Sequence, residues 1–147
     1  MRIAVGNDHA AVDLKLALLE HLDELGVQTT DMGTSEATSC DYPDYAEKVA
    51  HAVADGECDL GLLICGTGIG MAMAAGKVDG VRAALCTFEY HARMARGHNG
   101  ANVLCLGARV TGVDVAKAIL TTFINTPVDE SERHARRREK IMALQGS

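Results

Sequence analysis

The chain has no CxxC pair, no apolar run long enough to span a bilayer, no excess of basic charge and almost no proline. Each absence removes a class of function. Its five cysteines, Cys40, Cys58, Cys65, Cys86 and Cys105, are widely spaced and odd in number. That fits a reducing, cytoplasmic setting better than a disulfide framework or a zinc site. The longest uncharged stretch, residues 60–76, contains five glycines and falls short of a membrane span. Asp8 and His9 come too early for the apolar core of a signal peptide. A net charge of -6 argues against a nucleic-acid or membrane-surface partner. With two prolines and fifteen glycines the chain is neither fibrous nor disordered, and 147 residues suffice to bury a full core as one domain, residues 1–147.

What is present is an alternation. Residues 2–5, 27–32, 60–65, 81–86 and 102–106 read as short strands. Residues 11–25, 44–56, 70–78, 88–97, 114–124 and 130–144 carry apolar positions three and four apart and read as helices. Strands separated by helices imply right-handed βαβ crossovers. The expected fold is therefore α/β, a doubly wound, Rossmann-like five-stranded parallel sheet with helices on both faces and a C-terminal helix. The polar break at 124–132 reads as a hinge into that last helix.

In such sheets ligands bind beyond the carboxyl ends of the strands. Gly6-Asn7-Asp8-His9, Gly66-Thr67-Gly68 and Gly107-Ala108-Arg109 follow strands and mix small with polar residues. The stretch "ICGTGIG" is the most informative. It is not a dinucleotide fingerprint, because Met71 stands where the third glycine belongs. No Gly-Lys-Ser/Thr makes a P-loop, Cys65 occupies the position of a receiver aspartate, and Met71 that of a phosphatase arginine. What remains is a loop whose Gly66, Gly68 and Gly70 bring backbone N–H groups to a helix start, where negative charge is favoured. A cysteine placed there is favoured as thiolate. The loop alone equally admits a small core cysteine ending a strand above a tight turn. His98-Asn99, on the turn before the last strand, falls at the opposite edge of the sheet and would need a second subunit, or a displaced turn, to join this site.

"GNDHA" (6–10), "DYPDYA" (41–46), "ICGTGIG" (64–70), "HNGANVLCLGAR" (98–109) and "ERHARRREKI" (132–141) together resemble the type B ribose-5-phosphate isomerases and the allose- and galactose-6-phosphate isomerases grouped with them. The resemblance runs over nearly the whole chain, in order and spacing. Ala11, where the family usually has glycine, departs from it. It implies aldose–ketose isomerisation through a cis-enediolate without cofactor or metal. Cys65 is then the carbon base, Thr67 handles the oxygen protons and His98 opens the sugar ring. Gly66, Gly68, Ile69 and Gly70 form the oxyanion cradle. Asp8, Tyr42 and Asn99 contact sugar, and His9, Arg109, Arg133 and Arg137 hold phosphate. Arg133 and Arg137, four apart, share one helix face, while Arg136 and Arg138 read as solvated. His134 stays open.

The resemblance further implies a homodimer, or a dimer of dimers, with sites shared between chains. Presence of His98-Asn99 and the arginine set in one chain favours ribose 5-phosphate, with allose 6-phosphate or another hexose 6-phosphate as alternative substrates. A non-catalytic phosphosugar-binding module is the reading from another class. It would have no need of Cys65, Thr67 and His98 together.

Overall fold

The computed structural model describes residues 1–146. Its strands are β1 (Arg2–Asn7), β2 (Gln28–Asp31), β3 (Leu60–Cys65), β4 (Ala83–Leu85) and β5 (Val103–Gly107). Its α-helices are α1 (Val12–Glu24), α2 (Tyr42–Ala54), α3 (Ile69–Ala75), α4 (Glu89–Gly97), α5 (Val113–Asn125) and α6 (Glu132–Met142). All strand pairs are parallel, in the order β2-β1-β3-β5-β4. No helix among the described residues is long and apolar enough to cross a membrane.

The two faces of the sheet are sealed separately. Ile3, Val5, Leu62, Ile64, Leu104 and Leu106 pack against α1, α4 and α5. Ala4, Leu63, Cys65, Val103 and Cys105 point the other way, onto α2 and α3. A parallel sheet covered on both sides needs apolar side chains on both, so β3 and β5 read as unbroken hydrophobic runs. Edges behave differently. The sequence pattern suggests a strand over 81–86, but β4 pairs only with β5 and is regular for three residues. Helix α2 begins earlier than its periodicity implies, because Pro43 sits in the first turn, where its missing N–H costs nothing.

The chain leaves β1 in one direction to form β2 and crosses back to form β3 on β1's other side. That reversal places the topological switch point between the ends of β1 and β3, and the crevice it opens is where such sheets bind ligands.

Candidate active site

Two clusters of candidate residues emerge, at opposite ends of the sheet. The first stands at the switch point. Asp8, buried just past β1, donates its backbone N–H to the Ile64 carbonyl at 3.2 Å, which fixes it beside Cys65 at the end of β3. The Cys65 side chain is 5% exposed, and the Gly68 N–H donates to its sulfur at 3.1 Å. Gly68 makes this possible with φ +80°. A Cβ there would lie 2.9 Å from the Leu106 carbonyl carbon, so the turn requires glycine on two counts. Thr67 is exposed at the apex, its hydroxyl oxygen accepting the Ile69 N–H at 3.2 Å. Arg109 donates its backbone N–H to the Gly66 carbonyl at 3.0 Å and lays its side chain over Gly66. The Tyr42 ring rests on Gly70, filling the space a side chain would need. Two other buried thiols, Cys86 and Cys105, sit in apolar surroundings. Burial pushes Cys86 up to about 11 and Cys105 higher still, and neither has an N–H aimed at its sulfur among the described contacts.

One wall of this cluster is the 32–41 segment, of which the sequence pattern marks only Gly33-Thr34, as residues following a strand at the ligand-binding edge. Its Cys40 N–H donates to His9 Nδ1 at 3.2 Å, which leaves the proton of a neutral His9 ring on Nε2. The segment is pinned at Thr34, whose carbonyl accepts from Lys15 Nζ at 2.8 Å and from Asn7 Nδ2 at 3.0 Å. Lys15 is 1% exposed and also pairs with Asp31 at 3.1 Å. Lysine is almost never buried unless paired, and here its ammonium ties α1, β2 and this segment together. Gly33 fits against Asn7 so closely that a Cβ would stand 1.9 Å from Asn7 Oδ1. Gly33→Ala is expected to cost about 1–3 kcal/mol through overpacking and to loosen the Cys40–His9 contact. Urea unfolding would register the first effect, and a raised KM in an otherwise folded protein the second. Wild-type values for both would remove this segment from the site.

The second cluster gathers around His98 and Asn99, at the end of α4 and before β5. Cys65 pairs with Gly107, whereas Gly61 bonds to Asn102, so the two strand ends lie roughly 13 Å apart at ~3.3 Å per residue. His98 lies beyond the far end. It therefore cannot reach Cys65 within one chain, as the topology implied. His134, buried on α6, stacks on His98 with ring centroids 4.1 Å apart and planes inclined by 16°. Its Nε2 lies 3.6 Å from Asp129 Oδ2. Burial, and next the charge of His98, hold the His134 imidazole below its ordinary range, against the opposing pull of Asp129. Arg133 and Arg137 are exposed on the same helix, close enough for His134 to feel both charges.

Two expectations require correction here. Arg138 is not solvated. Its side chain is 12% exposed, and Nη1 donates to the carbonyls of His98 at 3.1 Å and Asp129 at 2.9 Å. Residues 124–132 are not a free hinge either, since the Asp129 N–H bonds to the Gly97 carbonyl at 2.8 Å. Arg82 completes the clamp by donating to the carbonyls of Asn99 and Gly100 at 3.1 and 2.9 Å. Four carbonyl contacts from two half-buried arginines thus hold the His98 turn and the approach to α6 as one unit, and one-dimensional spacing carried no sign of it. Nor did it show that His98, Asp129 and His134 converge, with ligand atoms within 4.8 Å of one another.

Comparison with known proteins gives these clusters a context. Residues 3–141 match the family model described as Ribose/Galactose Isomerase. The chain is 45% identical over 144 residues to ribose-5-phosphate isomerase B of Escherichia coli strain K12, covering 98% of this chain and 96% of that one. It is 44% identical over 128 residues to D-erythrulose-4-phosphate isomerase of Pectobacterium atrosepticum, covering 85% and 83%. The solved structure of Clostridium thermocellum ribose-5-phosphate isomerase B superposes with a TM-score of 0.95 at 47% identity, over 98% of this chain and 97% of the other. A parallel sheet with the glycine loop at its switch point, matched in sequence over this length, places the chain in the ribose/galactose isomerase family.

Proposed function

We propose that the protein interconverts ribose 5-phosphate and ribulose 5-phosphate in a site completed by a second copy of the chain. The observation that carries this reading is the Cys65 sulfur, held at the switch-point crevice beside Asp8 with the Gly68 N–H directed at it. That N–H is a donor placed to meet negative charge on the sulfur, the contact a cysteine acting as base requires.

The reaction moves one proton between carbons and one between oxygens, and it is redox-neutral overall. His98 gives a proton to the ring oxygen while the sugar's 1-hydroxyl gives its own to water, which breaks the bond from C1 to the ring oxygen and opens the ring. Asp8 holds sugar hydroxyls during this step, with Asn99 and Tyr42. The Cys65 thiolate then removes the C2 proton. Negative charge develops on the former carbonyl oxygen and is met by the N–H groups of the Gly66–Gly70 turn. Thr67 passes a proton between the two oxygens, and the Cys65 thiol returns its proton to C1. Phosphate is held by Arg109 and His9 from one chain and by Arg133 and Arg137 from the other.

The surface of α3 supports the shared site. Met71 and Ala75 face the core, yet Ile69 and Met73 on the opposite side are 48% and 68% exposed. A short helix apolar all round is stable in water only when something covers its second face. A two-fold mate carrying His98 to the Cys65 loop would supply that cover.

Incubation with ribose 5-phosphate should yield ribulose 5-phosphate. The likeness to an erythrulose-4-phosphate isomerase makes a four-carbon phosphate the comparison substrate, alongside allose 6-phosphate. No isomerisation of any of them would leave only the binding-module reading. Arg137→Ala should raise KM by tens- to a hundredfold with kcat less affected, since a charge-assisted contact contributes about 1.5–3 kcal/mol. An unchanged KM would take Arg137 out of the phosphate site.

A further inference from the structure

We propose that His98, His134 and Asp129 form a binding site for a divalent cation of the zinc class, and that its occupation shuts the enzyme down. The reaction above has no use for a metal. The inhibitory half of the proposal rests on the reading of His98 as the ring-opening acid, while the binding half does not.

The donor atoms come from three places in the chain and lie within 4.8 Å of one another. A tetrahedral zinc ion with bonds of 2.0–2.1 Å sets its ligand atoms about 3.3 Å apart. The His134 Nε2 to Asp129 Oδ2 separation is 3.6 Å, so that pair is within a few tenths of an ångström of the required geometry. His98 must turn out of its stack on His134 to bring a ring nitrogen to the same point, closing a gap of up to about 1.5 Å. Independent support comes from His134 itself. Its side chain is 7% exposed, and Nε2 has no hydrogen-bond partner among the described residues. A buried nitrogen without a hydrogen-bond partner is costly, and a metal ion shared with the Asp129 carboxylate at 3.6 Å would satisfy both groups at once.

Rigidity is favourable. The Ser131 backbone N–H donates to Asp129 Oδ1 at 2.8 Å and holds the carboxylate in place, with Oδ2 turned toward His134. Arg138 grips the carbonyls of both His98 and Asp129, fixing two of the three ligands on one scaffold. Arg133 and Arg137 oppose a dication electrostatically. That opposition disfavours hard ions bound mainly by charge, such as magnesium and calcium, and leaves zinc-class ions whose bonds to imidazole nitrogen are stronger. Three protein ligands leave a fourth position for water.

A cation held here takes the His98 nitrogen that would otherwise deliver a proton to the ring oxygen. The test uses chelator-stripped full-length protein, with zinc bound in competition with a chromophoric indicator. One site per chain is expected, and Cys65→Ala should retain it, because no thiol takes part. Asp129→Asn and His134→Gln should each weaken binding at least tenfold, the scale on which lost metal-site groups are felt. Cobalt substitution should give a visible d–d spectrum without a thiolate charge-transfer band. No stoichiometric binding by the wild type, or binding undiminished in both variants, overturns the site. Assayed in parallel, zinc should inhibit the wild type, a chelator should restore turnover, and Asp129→Asn should resist inhibition. Tight binding with turnover untouched upholds the cation site and instead overturns the ring-opening role of His98.

Discussion

Cys65→Ser is expected to lower kcat by at least a hundredfold while leaving substrate affinity within a few-fold of wild type. A positioned general base contributes about 10²–10⁴ in rate, and a serine hydroxyl is far too weak an acid to supply an alkoxide near neutral pH. The substitution is close to isosteric at a side chain that is only 5% exposed, so the fold should survive. The Gly68 N–H would simply meet oxygen in place of sulfur. Two measurements separate the outcomes. Steady-state conversion of ribose 5-phosphate reports the whole reaction, whereas wash-out of deuterium from C2 reports carbon deprotonation alone. Both should fall together. Turnover above a few per cent of wild type would remove Cys65 from the base role. A fall in turnover with exchange retained would move it to a later step. Cys86, pushed up to about 11, is the control, since Cys86→Ala should affect stability rather than rate.

How far the sequence revealed this arrangement differs from element to element. The covered strands were legible because a parallel sheet must be apolar on both faces, which makes a run such as Leu60–Cys65 unambiguous once helical patterns flank it. The glycine loop was legible because Gly68 and its neighbours answer to backbone geometry, a local property. The separation of His98 from Cys65 was legible too, because strand direction alone decides which end of a parallel strand a turn occupies. Three features were not. Arg138 looks like any other charge on a strongly polar helix, and only the approach of the His98 and Asp129 carbonyls makes it a clamp. Lys15 sits among leucines on α1 with no hint of Asp31 or Thr34 across the fold. The Cys40–His9 contact joins residues 31 apart through an irregular segment whose path follows from no periodicity. All three are polar contacts between distant segments, and their partners are fixed only after the core has set the distances.

The same geometry yields a prediction about assembly whose two outcomes are far apart. Cys65, Thr67, Asp8, His9 and Arg109 belong to one end of the sheet, and His98, Asn99, Arg133 and Arg137 to the other. If these halves meet across a two-fold axis, one symmetry operator builds two sites, each drawing its base from one chain and its ring-opening acid from the other. A Cys65→Ala chain and a His98→Ala chain, each nearly inactive alone, are co-expressed with different affinity tags so that mixed dimers can be isolated. In a mixed dimer, one site takes its cysteine from the Cys65→Ala chain and its histidine from the His98→Ala chain, and so carries both lesions. The other takes both groups from intact positions and is wild type. Random pairing makes about half of all dimers mixed, so roughly a quarter of all sites should recover, or about half of the sites in the purified mixed fraction. Sites contained within one chain would each keep one lesion, and no recovery would follow at any ratio. Pairing that buries Ile69 and Met73 on α3 makes a second demand on the same dimer. Met73→Glu should shift the wild-type chain toward monomer in sedimentation and abolish activity with it. Monomers that retain full turnover would overturn the shared site as decisively as mixed dimers that recover nothing.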